Sequence, residues 1–175
     1  MSRRENPSAT IEERIVIERS VEDVFAFYRD FRHLPDFLGD VVRVEVTGER
    51  TSRWTIRAPL GLALHWTVVV TDMRPNAFIA YRTERATAPA RWEVSFSPGA
   101  EPGTTLVREA MSMPGGFIAA AALAAIGKPP AREMRANLRR LKELLETGHV
   151  TTMDYAVRGK FAPRTGHRLQ AVPPI

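Results

Sequence analysis

The chain has 175 residues, of which 44% are hydrophobic, carries a formal net charge of +5 and contains no cysteine. This length fits one hydrophobic core better than two domains, and the lack of cysteine excludes disulfides, thiolate nucleophiles and cysteine-ligated metals. We expect a cytoplasmic protein, because residues 1–8 are polar and lack the apolar segment of a secretory signal. The most apolar stretch, residues 117–126, covers about half of the roughly 20 residues that a membrane-spanning helix needs.

A short helix is predicted after a flexible N-terminus, residues 1–10, and a first strand that contains Ile15 and Ile17. Ser20 is a favourable N-cap residue, and the acidic residues that follow it suit the positive end of the helix dipole. Apolar residues then recur at helical spacing along one face that is rich in aromatic rings: Val21, Val24, Phe25, Tyr28 and Phe31.

Between residues 41 and 113 the apolar period changes to two, which predicts β-strands. Val42, Val44 and Val46 alternate with charged residues. The pattern returns in five further runs, which glycine, proline or asparagine turns separate: residues 53–58, 62–73, 78–83, 91–96 and 106–113. Together with the first strand this makes seven strands joined by short turns, which argues for an antiparallel meander.

A long amphipathic helix is predicted to follow the strands. Pro129 and Pro130 suit its start and Gly148 its end, and its apolar stripe is Met134, Leu138, Leu141 and Leu145. A sheet with one apolar face needs a cover, and this helix supplies it. Because a strongly twisted sheet closed over one helix is not filled everywhere by side chains, we expect a ligand-sized hollow between them.

Two segments flank this helix. Residues 114–127 are rich in alanine with glycines at both ends and predict a short apolar helix. This helix is either a connector packed on the sheet edge or, over residues 115–127, a lid through which an apolar ligand enters. Residues 149–175 hold four Lys or Arg against one Asp, interleaved with Gly and Pro, which predicts a mobile basic tail. The tail is either solvated surface or a weak contact for acidic lipid or nucleic acid.

Strand alternation directs one set of side chains towards the predicted hollow. Trp66, Tyr81 and Trp92 are the best candidates for ligand contact, since their polar atoms need a partner inside, although ordinary packing would also account for them. Asn137 lies at the edge of the covering stripe and either marks its boundary or hydrogen-bonds a ligand. The full set of candidate ligand-binding residues is Trp54, Trp66, Tyr81, Trp92, Phe96, Glu109, Met111, Asn137, Leu138 and Leu141.

Glu109 is the acidic member of that set. It shares the parity of apolar neighbours in the last strand, so it should point inward unless a bulge shifts the register. A buried carboxylate is costly without a partner. Glu109 therefore either hydrogen-bonds or exchanges a proton with the ligand, or it forms a structural ion pair with an arginine at a strand end: Arg53, Arg57 or Arg91.

The motifs of metal and nucleotide sites are missing from the sequence. The four histidines have no partner at metal-binding spacing, and the chain lacks the H-E-x-x-H, P-loop, G-x-G-x-x-G and G-x-S-x-G patterns. We therefore expect no metal, no cofactor and no serine nucleophile.

The order of these features resembles the helix-grip (SRPBCC) superfamily, which includes START lipid-transfer domains, the birch-pollen allergen, polyketide cyclase/dehydrases and coenzyme Q-binding proteins. The resemblance runs from about residue 11 to residue 148 and is closest to bacterial cyclase/dehydrase and coenzyme Q-binding-type members. It implies an α+β fold, in which a seven-stranded antiparallel sheet wraps around a long C-terminal helix and two short helices follow the first strand. The segments that carry it are residues 20–25, 30–31, 34–37, 54, 59–61, 66, 81, 94, 96, 103–107 and 141–148.

Two hypotheses for function remain, because this fold serves many activities. The first is a carrier or sensor that binds a hydrophobic small molecule, such as a lipid, an isoprenoid quinone or a polyketide-like aromatic. The second is an aromatase/cyclase-like enzyme, in which Glu109 or Tyr81 transfers a proton in the same hollow. The inward set offers one carboxylate and one tyrosine but no evident acid/base pair, which favours the binder. Transient membrane contact fits either hypothesis, specific nucleic-acid binding fits neither, and the sequence sets no oligomeric state.

Overall fold

The structure is a computed structural model that describes residues 10–57, 61–84, 89–113 and 129–162. Within these ranges seven strands form one antiparallel sheet in the order β1-β7-β6-β5-β4-β3-β2. The strands are β1 Thr10–Ile17, β2 Val41–Val46, β3 Thr51–Arg57, β4 Ala63–Arg74, β5 Phe78–Glu84, β6 Arg91–Pro98 and β7 Thr105–Ser112. The predicted helix-grip fold is confirmed.

Two short helices follow β1, as the resemblance implies. Helix α1, Val21–Arg29, begins at Ser20, whose Oγ accepts a hydrogen bond of 3.2 Å from the backbone N–H of Asp23. A 3₁₀ helix, Phe31–Asp36, follows at once, and Asp30 caps it through the N–H of Arg32. Their aromatic side chains enter the core at one end of the sheet.

The covering helix α2, Pro130–Thr147, has the predicted bounds and length of 18 residues. It starts after Pro129, and Gly148 ends it in the left-handed conformation at φ 75°, where a residue without Cβ is favoured. Its inward stripe includes Met134, Leu138 and Leu141, which are all at most 4% exposed. The helix therefore covers the concave face of the sheet, with its closest strand contacts to β1.

Two bulges alter the strand alternation that the sequence predicts. The β2–β3 register shifts between Val41 and Arg43, so that Val41, 3% exposed, enters the core while Val42 is only half-buried. In β4 the register against β5 shifts between Val70 and Asp72, and Met73 therefore faces the same side as Val70. A bulge has no signature in hydrophobic period alone, which is why the simple alternation does not reveal it.

The first part of the predicted tail packs on the folded domain. We refer to Thr151–Ala162 as the C-terminal segment. Glu143 of α2 accepts hydrogen bonds from the N–H groups of Thr151 and Thr152, and the N–H of Val157 donates to the Gly39 carbonyl over 2.9 Å. These bonds join the C-terminal segment to α2 and to the loop between the 3₁₀ helix and β2, contacts that the sequence analysis did not predict.

Several sequence predictions concern residues outside the described ranges. They are the flexible start at residues 1–9, the lid or connector at residues 115–127, and the rest of the basic tail, residues 163–175. Among the helices that are described, none has the length and apolar character needed to cross a membrane.

Candidate ligand-binding site

On the concave face, the strand register aligns side chains of neighbouring strands in rows, and Glu109 belongs to one of these rows. The row runs across five strands as Glu13, Glu109, Val94, Ile79 and Met73. The next row consists of Ile11, Met111, Trp92, Tyr81 and Val70. Glu109 therefore has apolar or aromatic neighbours on most sides and one acidic neighbour, Glu13, directly opposite on β1.

Glu109 points inward, as its parity in β7 predicts, and is 4% exposed. Among the described residues, no hydrogen-bond donor reaches its buried Oε2 atom. Burial raises the pKa of this carboxyl from 4.5 to about 7, because the charged form loses its hydration. The side chain is thus a mixture of acid and carboxylate near neutral pH, with an oxygen atom available to a further partner.

Two tyrosine hydroxyl groups lie near this carboxyl. Tyr28 from α1 and Tyr81 from β5 share a hydrogen bond of 3.2 Å between their hydroxyl oxygens. Burial raises the pKa of both phenols well above 10, and the charge of Glu109 raises it further. In this bond one hydroxyl donates and the other accepts, so the accepting group keeps a hydrogen that it can donate elsewhere.

Aromatic rings enclose the tyrosine pair. Trp92 stacks on Tyr81, with ring centroids 5.4 Å apart and planes 12° apart. Phe31 meets the same tyrosine edge-on at 5.1 Å, and Phe96 meets Tyr28 edge-on at 5.6 Å. Each pair has a geometry that aromatic quadrupoles favour. The polar atoms of the site are therefore set in an apolar, aromatic enclosure.

Eight of the ten candidate residues have apolar or aromatic side chains, and they differ in how deeply they are buried. Trp54, Tyr81, Phe96, Leu138 and Leu141 are at most 4% exposed and belong to the main core cluster. Trp66 and Trp92 are half-buried at the edge of that cluster, and Met111 is 9% exposed. Trp66 and Trp92 therefore keep some exposed side-chain surface, whereas Met111 and the more deeply buried residues are part of the packed inner face.

The predicted ion pair of Glu109 with a strand-end arginine is wrong. Alternation places all three candidate arginines on the opposite face from Glu109, and their contacts lie there. Arg91 pairs with Glu93 at 2.9 Å, Arg57 donates to the Gly61 carbonyl at 3.0 Å, and Arg53 is exposed.

An ion pair does lie near Glu109, but it joins the cross-strand neighbour Glu13 to Arg135 of α2. Arg135 donates from Nε and Nη2 to both Glu13 oxygens, at 3.1 and 2.7 Å. Glu13 could not be predicted as a neighbour of Glu109 from the sequence, because its place depends on the β1–β7 register.

Asn137 lies within a structural cluster of α2. Its Oδ1 accepts hydrogen bonds from the Gly39 N–H, at 2.9 Å, and from Nη2 of Arg140, at 2.5 Å. Arg140 is fully buried and also donates to the carbonyls of Phe37 and Asp154. These contacts agree with a structural role for Asn137 at the edge of the apolar stripe of α2. Its amide oxygen accepts from Arg140, which also binds the C-terminal segment.

The structure adds Tyr28 to the site, which the sequence analysis assigned only to the apolar stripe of α1. Its helical spacing with Val24 and Phe25 gave the correct face, but the pairing with Tyr81 spans 53 positions and has no local signal. Within the described ranges, no group of three or more His, Asp or Glu side chains is placed to hold a metal ion.

Comparison with known proteins gives a family match and many similar folds. The family model for polyketide cyclase / dehydrase and lipid transport matches residues 8–146. A solved protein from Deinococcus radiodurans is 26% identical with a TM-score of 0.63, over 80% of this chain and 99% of that one. A START superfamily protein from Mycobacterium smegmatis is 14% identical with a TM-score of 0.62, over 78% and 98%.

A third similar structure is the di-domain ARO/CYC BexL from the BE-7585A biosynthetic pathway. It is 18% identical with a TM-score of 0.61, and the match covers 80% of this chain and 50% of that one. These two distant similarities concern the fold alone. Among curated proteins, no sequence matches this chain.

Proposed function

Because the chain belongs to the polyketide cyclase / dehydrase and lipid transport family, we propose that it binds one hydrophobic small molecule between the sheet and α2, as a carrier or sensor. The bound molecule lies along the half-buried side chains Trp66 and Trp92 and along Met111, which is buried next to Glu109 on β7, and its polar group reaches Glu109. Lipids, isoprenoid quinones and polyketide-like aromatics all have the required combination of an apolar body and a small number of oxygen atoms.

The observation that carries this proposal is the unpartnered Oε2 of Glu109. A buried carboxyl that no described residue satisfies lowers stability, so a folded protein that keeps one has a feature that structural needs do not explain. A ligand that supplies the missing hydrogen bond would relieve this destabilisation and gain orientation from it.

Apolar contact supplies the affinity in this proposal. Burying about 300 Å² of ligand surface at about 25 cal/mol per Å² contributes on the order of 7 kcal/mol, before association entropy is deducted. The half-buried faces of Trp66 and Trp92 are suited to such contact. Specificity then rests on the polar group at Glu109 and on the shape of the aromatic wall.

The test combines native mass spectrometry of freshly purified protein with binding of N-phenyl-1-naphthylamine, a neutral fluorophore that brightens in apolar surroundings. We expect a copurifying small molecule of unchanged structure and saturable binding of the fluorophore at one site. The variant Met111→Trp should weaken fluorophore binding at least tenfold, because the larger ring fills space on the inner face next to Glu109.

The matched control is Ser97→Trp, which adds the same ring to an exposed position on the opposite face of β6. It should bind the fluorophore as the unaltered protein does. The absence of any saturable site, or binding that Met111→Trp leaves unchanged, would contradict the proposal.

A second candidate function is an aromatase/cyclase-like reaction on a polyketide chain, and the tyrosine pair favours it. Glu109 in its ionised form can accept a proton from carbon between two carbonyls, while the spare tyrosine hydrogen can donate to the carbonyl oxygen that gains charge. Glu109 and the tyrosine pair would act together as the acid/base pair that this reaction needs.

This candidate predicts that Glu109→Gln abolishes turnover of a poly-ketone substrate without loss of thermal stability. Retained turnover in that variant would remove Glu109 from the reaction. A copurifying molecule that is chemically unchanged after incubation with the protein supports carriage instead.

A further inference from the structure

The hydrogen-bonding needs of Glu109 restrict the polar group that can lie beside it. An ionised carboxylate only accepts hydrogen bonds, and even the protonated acid keeps an oxygen that accepts. Oε2 is the atom without a described partner. A head group that donates a hydrogen bond therefore satisfies this site in both protonation states, whereas a carboxylate head group offers no donor.

The charges around Glu109 also disfavour an anionic head group. Glu13 lies directly opposite on β1, and cross-strand neighbours on one face are about 5 Å apart at Cβ. The cation near this pair, Arg135 of α2, donates to both oxygens of Glu13. The phenols of Tyr28 and Tyr81 also lie close enough to feel the charge of Glu109. An anionic head group would thus meet acidic neighbours and a guanidinium that is already paired.

The aromatic enclosure favours positive charge. Ring faces attract cations through their quadrupole, and the attraction grows when water is excluded. Tyr81 and Trp92 stack in parallel beside the carboxyl, with Phe31 at the edge of Tyr81. A carboxylate within a group of aromatic rings is a chemical environment suited to an ammonium ion.

We propose that this site selects an organic amine. The bound molecule has an apolar or aromatic body and carries an amino group, which binds in its protonated form and pairs with Glu109. The inference rests on the proposed function and names the head group for that same site. The desolvation of Glu109 has already occurred in the folded protein, so the amine loses only its own hydration when it binds.

The proton balance of the binding step follows from the buried carboxyl. The ammonium pairs with the ionised form, so Glu109 must release its proton wherever it is protonated. Because burial brings the pKa of Glu109 to about 7, the affinity for the amine should fall about tenfold between pH 8 and pH 6. A neutral alcohol of the same shape requires no proton release, and its affinity should change less than threefold.

The experiment compares three probes with one body: 1-naphthylmethylamine, 1-naphthylmethanol and 1-naphthoate, titrated by isothermal calorimetry at pH 6 and pH 8. At pH 8 we expect the amine to bind at least tenfold more tightly than the alcohol, and the naphthoate to bind most weakly. In Glu109→Gln the preference for the amine should disappear. Glu93→Gln, on the opposite face of the neighbouring strand, should retain it.

Each other outcome separates this inference from the proposed function. Equal binding of all three probes, tightest binding of naphthoate, or an amine preference that persists in Glu109→Gln overturns the inference and leaves hydrophobic binding intact. Binding of N-phenyl-1-naphthylamine without binding of 1-naphthylmethylamine would likewise overturn the inference and leave hydrophobic binding intact. If neither the naphthyl probes nor that fluorophore binds, the proposed function falls with the inference.

Discussion

Glu109 is the residue whose environment departs most from its chemical needs. Its carboxyl is 4% exposed, has an oxygen without a described partner, and has its pKa raised to about 7. Such a group destabilises the folded state when it is ionised. In the proposed function, a ligand that donates a hydrogen bond to this carboxyl offsets the loss.

The pH dependence of stability tests this environment. The pKa of Glu109 is higher in the folded state than the ordinary 4.5, so the folded state binds the proton more tightly than the unfolded state does. Protonation of Glu109 therefore stabilises the folded state, and this stabilisation is greatest below pH 4.5. Between pH 4.5 and 7 the free energy of unfolding should fall by on the order of 3 kcal/mol relative to Glu109→Gln, whose amide does not titrate. Urea denaturation of both proteins across this range measures the difference. Parallel curves would contradict the raised pKa.

Arg140 is the second residue with an unusual environment. It is fully buried, yet it donates to the carbonyls of Phe37, Thr152 and Asp154 and to Asn137. One side chain thus joins α2 to the loop after the 3₁₀ helix and to the C-terminal segment. Burial lowers the pKa of the Arg140 guanidinium, while nearby acidic groups oppose that effect.

Replacing Arg140 should therefore be far more harmful than replacing its neighbour. Arg140→Met keeps much of the volume but leaves several buried carbonyls without donors, and we expect a loss of about 3 kcal/mol in the free energy of unfolding. Arg139→Met, at an exposed position of the same helix, should change it by less than about 0.5 kcal/mol. Similar urea midpoints for the two variants would contradict the anchoring role of Arg140.

At the scale of elements, the loop between the 3₁₀ helix and β2 has little room beneath the C-terminal segment. A Cβ at Gly39 would collide with the Tyr155 carbonyl oxygen and lie 2.8 Å from Nη2 of Arg140. This close approach explains why the position requires glycine although its own φ is not in the left-handed region. The contact also couples the loop to the C-terminal segment.

Gly39→Ala should consequently displace the C-terminal segment. We expect a loss of about 2 kcal/mol or more in the free energy of unfolding, together with faster proteolysis within residues 149–162. Gly103→Ala is the control, because its Cβ meets open space and only its φ of 75° is unfavourable, at about 1 kcal/mol. Proteolysis that stays at the unaltered rate in Gly39→Ala would show that the segment is not held by this contact.

Elements with a local chemical signal could be predicted from the sequence. Ser20 before an acidic turn gave the start of α1, and Pro129 with Gly148 gave both ends of α2, because caps act on adjacent residues. The bulges near Val42 and Thr71 could not be predicted, since register depends on the neighbouring strand. The packing of residues 151–162 was also missed, because it depends on hydrogen bonds from Arg140 that no hydrophobic period encodes.

At the scale of the whole molecule, the folded unit extends past α2. The family match ends at residue 146, whereas described contacts continue through Lys160, whose Nζ donates to the carbonyls of Leu38 and Val41. The C-terminal segment therefore lies beyond the matched residues and packs on residues 38–41 of the folded domain.

Truncation tests this extension. A chain that ends at Gly148 lacks two carbonyl acceptors of Arg140 and the Lys160 contacts, so its free energy of unfolding should be at least about 2 kcal/mol below that of a chain ending at Ala162. Thermal denaturation of the two truncated chains makes the comparison. Equal stability would mean that these contacts add nothing to the fold.

The site was predicted less completely than the fold. The inward direction of Glu109 followed from parity alone, and the aromatic candidates were correctly placed on the concave face. Tyr28 and Glu13 were missed, because a helix-to-strand pair and a strand register bring them to the site. A known pairing of β1 with β7 would have supplied Glu13, since register fixes which side chains share a row. Tyr28 depends on how α1 packs on the sheet, which strand register does not give.

The most direct test of binding on this inner face is a methyl NMR titration of methionine-labelled protein with N-phenyl-1-naphthylamine. Met111 lies two residues from Glu109 on the same face of β7 and is 9% exposed, whereas Met153 is 46% exposed on the C-terminal segment. The account predicts saturable shifts of the Met111 resonance with none at Met153. An unchanged Met111 resonance at the solubility limit of the probe, or equal shifts at Met153, would contradict it.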